Sequence, residues 1–210
     1  MDTKELVRRY GAGERDFAGA DLRGADLSWA DLTAAHLERA NLRAARLAHA
    51  NLMRANLMRA DLSEADLSEA DLSEANLHHT DLRNANLSVA DLSVADLSVA
   101  DLRGAKLNGA NLNLAKMNLA DLEGVNLQEF DLHGVNLCRA GLSGANLERA
   151  SLGFANLHKA NLQNADLRHA NLIGADLSGA DLSAAKVTAE QVAEARSLKG
   201  ATMPDGTVHE

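Results

Sequence analysis

Four aspartates, Asp61, Asp81, Asp101 and Asp121, stand twenty residues apart, and Cys138 stands twenty residues before His158. Stacked carboxylates can share a proton for acid–base work, and a thiol beside an imidazole is the start of an activated nucleophile. Neither set is complete. A nucleophile needs its base held by a third group, and a metal needs a third and a fourth ligand. The histidine that shares the spacing of Cys138 is His78, sixty residues earlier. His78 and His79 form a pair with no further ligand in view. No G-x-x-x-x-G-K-[ST], G-x-S-x-G or H-E-x-x-H sequence occurs. The reading is a non-enzyme without metal or cofactor.

The elements that would position these residues follow from one period. From Phe17 to Val187 a large apolar residue occupies every fifth place, which makes thirty-five consecutive pentads, all leucine except Phe17, Met117 and Val187. Two places earlier stands alanine, with Arg15, Thr80, Val125, Phe130 and Val135 as exceptions. Between them is mostly Asp or Asn. A straight helix would scatter leucines at this spacing around its surface, and a straight strand would alternate them between faces. A chain that turns a corner in every pentad keeps Ala and Leu inside and coils on itself, its turns stacked at the ~4.8 Å strand spacing.

Composition agrees with such an interior. The chain has 210 residues, a formal charge of -9, 46% hydrophobic residues and 2% aromatics. Leucine and alanine therefore fill a core that globular domains build with larger rings. An acidic balance argues against direct nucleic-acid binding. No apolar run reaches the ~18 residues of a membrane span, and the lone Cys138 suits a reducing, cytoplasmic location.

The pentads Ala-Asp-Leu-Ser-Glu and Ala-Asn-Leu-Met-Arg resemble the A(D/N)LXX form of the pentapeptide repeat family. The resemblance implies an all-β fold, a right-handed quadrilateral β-helix with four pentads per coil and just under nine coils. The expected organisation is an N-terminal cap helix over residues 1–14, the β-helix solenoid over 15–187, and a C-terminal cap helix and tail over 188–210. Thr188-Ala189-Glu190-Gln191 is a capping box, and Leu6, Val7 and Tyr10 give the first helix an apolar face. Both termini are similar to those of cyanobacterial members, a regulator of heterocyst differentiation among them. Exact copies of the Ser-Glu-Ala-Asp and Ser-Val-Ala-Asp units are also compatible with an engineered repeat.

With four pentads per coil, residues twenty apart share a face, and the sequence becomes a surface map. Arg46 should stack on Asp66, Arg54 on Glu74 and Trp29 on His49. Asp61, Glu64, Asp81, Asp101, Asp121 and Glu123 share an acidic face, tempered by Arg83 and Arg103. Some family members bind DNA gyrase by imitating duplex DNA, so that face and gyrase form one alternative. The other rests on Val89, Val94, Val99, Leu114, Leu119 and Phe154. These sit in the second place after leucine, a slot that points outward, and would form an apolar girdle bordered by Arg139 and Lys159. Grouped exposed apolar residues mark interfaces more often than single ones. The reading is a protein-interaction scaffold for a protein partner, with a homodimer also compatible and no membrane or nucleic-acid partner.

Overall fold

The computed structural model describes residues 1–210. Each pentad repeats one local structure. The residue before leucine makes an isolated parallel bridge, the leucine is buried, the next two residues turn, and alanine closes the unit. Bridges join residues twenty apart, as in Asn41 to Asp61 and Asp61 to Asp81, so a coil consists of four pentads. Around Leu42 the Leu42 N–H donates to the Asp61 carbonyl (2.7 Å), the Ala44 N–H to the Ser63 carbonyl (2.9 Å) and the Ala45 N–H back to the Leu42 carbonyl (2.9 Å). The last of these closes a turn. Its second central residue has positive φ, as a type II turn requires.

Asp and Asn fill the bridging slot for a local reason. The side chain accepts from the backbone N–H two residues on, as Asp61 does from Ser63 (2.9 Å), an Asx turn that a short acceptor makes and a longer one cannot. Asparagines add a rung between coils: Asn76 Nδ2 donates to Asn56 Oδ1 at 3.0 Å, and Asn86 Nδ2 to Asp66 Oδ1 at 2.9 Å. The columns of carboxylates thus have a structural explanation. At the alanine slot, Thr80 is buried with its hydroxyl donated to the Leu57 carbonyl at 2.8 Å, whereas Phe130 is too large and stays half-exposed.

Two compact units divide the chain, Met1–Leu112 and Asn113–Glu210. The first opens with helix α1, Thr3–Gly11, whose N-cap Asp2 accepts from the Glu5 N–H. Leu6 of α1 is fully buried, and the Tyr10 hydroxyl donates to the Thr33 carbonyl at 2.8 Å. Bridges in this unit run from Asp16–His36 to Asp91–Asn111. In the second unit the ladder begins at Lys116–Asn136 and is interrupted by helix α2, Ala189–Ala193. Thr188 and Gln191 form the capping box, and Gln191 Nε2 donates to the Leu167 and Ala170 carbonyls (2.8 and 2.9 Å). Beyond α2 the ladder resumes with one extra residue, Asp176 to Ser197 and Asp181 to Thr202, and ends in an antiparallel Thr202–Val208 bridge. No helix is long and apolar enough to cross a membrane.

Asp166 concentrates the electrostatics of the second unit. Arg168 Nη2 (2.7 Å) and Lys186 Nζ (3.1 Å) both contact its Oδ2, and the guanidinium above all holds this carboxyl far below the usual range. Asp176 and Asp181 are lowered as well, mainly by Ser178 and Ser183. A carboxyl that is more acidic folded than unfolded stabilises the fold fully above the unfolded pKa, near 4, and progressively less below it. Unfolding temperature should therefore fall between about pH 4 and pH 2. Asp166→Asn should be less stable at pH 6 and should lose part of that pH dependence, measured by thermal melts at both ends of the range.

Candidate protein interface

The six apolar residues singled out above all project from turns. Val89 and Val94 of the first unit are exposed (61% and 48%), while Val99 is half-buried. In the second unit Leu114, Leu119 and Phe154 are exposed. Successive pentads occupy successive corners, so the three valines circle the first unit rather than lining one side. What sequence reasoning did not anticipate is their backbone: φ is 61°, 61° and 62° at the valines and 57° to 60° at the other three. Left-handed backbone is rare for any side chain and a true outlier for a β-branched one. The frame imposes it, because the same slot has φ near 60° in Ala34, Arg59, Glu74 and many others. A signal existed in the glycines of that slot, Gly19, Gly24, Gly104 and Gly109 among them.

Glycine also makes room between coils. An added Cβ on Gly174 would stand 2.8 Å from two carbons of the Phe154 ring, so the ring lies across that glycine, edge-on to His133 at 5.4 Å. Ile173, half-exposed and one coil beyond Phe154, extends this apolar surface and was not foreseen. Gly174→Ala should destabilise the protein by about 1–3 kcal/mol, because it combines a clash with positive φ. Adding Phe154→Ser should restore part of the loss, read as coupling in a double-mutant cycle of urea denaturation.

The acidic face contains few free carboxylates. Arg83 Nη2 and Arg103 Nη2 lie 2.5 Å from Asp81 and Asp101, and Arg83 Nε lies 3.6 Å from Asp101. Arg83 and Arg103 accordingly hold the pKa values of Asp81 and Asp101 below the ordinary carboxylate value. Glu64 is paired with Arg43 (2.7 Å), and Asp61 accepts from Ser63. In the second unit Asp121 accepts from the Glu123 N–H, and Glu123 is exposed.

Other expected contacts divide evenly. Trp29 stacks on His49 at 3.9 Å and 12°, and Arg54 pairs with Glu74 at 2.9 Å. Arg46 bridges to Asp66 through the backbone as expected, but its guanidinium pairs back with Asp26 (3.4 Å), because the same slot carries a carboxylate in the coils on both sides. His158 does not join Cys138: its Nδ1 lies 2.8 Å from Ser178 Oγ, one coil further on. His78 and His79 pack edge-on against each other at 4.5 Å.

The family model for Pentapeptide repeats matches eight times in overlapping segments, from residues 16–39 to residues 150–188. HetL, a pentapeptide repeat protein involved in heterocyst differentiation regulation from the cyanobacterium Nostoc sp. strain PCC 7120, is 39% identical, with all of both chains covered and a TM-score of 0.60. A pentapeptide repeat protein of the Arabidopsis thaliana thylakoid lumen is 32% identical over 54% of this chain and 69% of its own, with a TM-score of 0.38. QnrB1, a plasmid-mediated fluoroquinolone resistance protein, is 14% identical over 90% and 92%, with a TM-score of 0.49. Among curated proteins none matches the chain.

Proposed function

The chain belongs to the pentapeptide repeat family, and from that premise we infer a non-enzymatic scaffold that binds a protein partner through Val89, Val94, Val99, Leu114, Leu119 and Phe154. The observation that carries this reading is the exposure of β-branched side chains on left-handed backbone. Holding valine at φ near 60° costs about 1–2 kcal/mol per residue. Burial in the fold does not offset that cost at Val89 or Val94, which face solvent. Contact with a partner would offset it. Strain of this kind, where it persists, is a pointer to function.

A regulatory role is part of the proposal, by analogy with HetL, and so is the cytoplasmic location expected from the lone Cys138. The acidic face supports gyrase binding less well. Duplex DNA presents about one charge per 1.7 Å, whereas Asp81, Asp101 and Glu64 here are each engaged by an arginine.

The test is affinity capture from a lysate of the source organism with the native chain and with Val94→Ser, Val99→Ser, Leu114→Ser and Leu119→Ser combined. Circular dichroism of the variant should match the native chain, because the leucine core is untouched. A protein missing only from the variant capture supports the interface, and identical captures sink it.

A further inference from the structure

We infer that the corner carrying Arg39, Arg59 and His79 binds an acidic segment of a partner protein, with Val99 receiving an apolar side chain at one end of that segment. Gly19, Arg39, Arg59, His79 and Val99 all occupy the second place after leucine at twenty-residue intervals. They therefore stand one above another, ~4.8 Å apart. Arg39 and Arg59 are exposed, and neither has a carboxylate within ion-pair distance. In the same unit Arg23, Arg43, Arg54, Arg83 and Arg103 are all paired, at 2.5 to 2.9 Å.

The acid closest in sequence to Arg39 is directed elsewhere. One oxygen of Glu38 accepts from Asn56 Nδ2 at 2.5 Å, and the other is buried without a donor. Asp16 and Glu38 line a depression of about 500 Å³ beside Gly19 and Arg39. Asp16 disfavours a further carboxylate beyond Arg39 at the Gly19 end, so the partner's acids run from Arg39 toward Arg59 and its apolar residue lies on Val99. Three coil steps separate Arg39 from Val99, about 14 Å, or four to five residues of extended chain.

The second unit has the same composition on one corner. Leu119, Arg139 and Lys159 follow one another at twenty-residue intervals, and both cations are exposed with no carboxylate partner. Arg168 and Lys186 make the contrast, since Asp166 already occupies them. An acidic peptide fits two cations beside an apolar residue better than nucleic acid does. A chain of charge -9 repels an extended polyanion and tolerates a short acidic stretch. The cations carry this inference by themselves, and it rests on the valine interface only at Val99.

The experiment is a titration of isotope-labelled full-length protein with an acetylated Glu-Glu-Glu-Glu-Leu peptide, followed by amide chemical shifts. A Gln-Gln-Gln-Gln-Leu peptide and oligo-dT are the parallel arms. Saturable shifts at Arg39, Arg59, His79 and Val99 with the acidic peptide are expected, weakening as salt rises. Arg39→Gln with Arg59→Gln should weaken binding at this corner about tenfold while shifts at Arg139 and Lys159 continue. Absent shifts along the corner, unchanged affinity in the double variant, or equal shifts with oligo-dT would overturn the inference. Val89→Ser with Val94→Ser should leave the titration unaltered, so failure of the valine interface and failure of this corner are read separately.

Discussion

Leu72→Ala should lower the free energy of unfolding by about 3–5 kcal/mol, the largest single-residue effect expected in this protein. Leu72 is fully buried, and Leu52 and Leu92, one coil away on either side, are too. A leucine truncation loses its transfer free energy, plus a cavity term that shrinks only if neighbours can move in. Here they cannot move far. The backbone above and below is fixed by the bonds from the Leu52 N–H to the Asp71 carbonyl and from the Leu72 N–H to the Asp91 carbonyl, both 2.7 Å. Alanine lines the remaining wall and has no side chain to swing across. Because each coil touches only its neighbours, the damage should also be local, with amides of residues 52–92 exchanging faster than those near either terminus. Urea denaturation and hydrogen exchange measure the two parts. A loss below 1 kcal/mol would mean that the coils can collapse onto a void.

The second large effect has the opposite sign. Val89→Asn, Val94→Asn and Val99→Asn combined should raise stability by about 2–3 kcal/mol, since asparagine tolerates left-handed backbone and valine does not. The chain already holds Asn84 and Asn164 in this slot, both at φ 58°. The same variant should lose its partner in the capture experiment. A more stable protein that binds less is the signature of strain kept for contact. Valines merely copied by duplication would give the gain in stability without the loss of binding. Unchanged stability in the triple variant would show that the turn accommodates the β-branch without cost.

Much of this architecture is legible in the spacing of a few residue types. Leucine every fifth place, with alanine two before it, leaves a coil as the one solution. Contacts such as Trp29 with His49 and Arg54 with Glu74 follow from residues in equal slots twenty apart. The four-sidedness and hand of the coil did not come from the period, which is satisfied by any closed turn; they came from family likeness. Side chains with two equivalent neighbours were the other gap. Arg46 has an aspartate on either side and takes Asp26, and His158 takes Ser178 in place of Cys138. The positive φ of the outward slot was hidden for a different reason. That slot accepts Ala, Arg, Glu, Val and Trp, so its conformation is dictated by the hydrogen-bonded frame and not by residue preference.

Four pentads per coil also give the gene an arithmetic of growth. A tandem copy of five codons sets the copied side chain a quarter turn further round, whereas a copy of twenty sets it directly above its parent. The interval of a duplication thus decides whether a surface spreads around the girth or lengthens along one edge. Val89, Val94 and Val99, five apart, spread around it. Arg39 and Arg59, twenty apart, lengthen an edge. Deletions obey the same rule: removing one pentad would turn every later face by a quarter relative to the earlier ones, and removing a whole coil would shorten each face while preserving its neighbours.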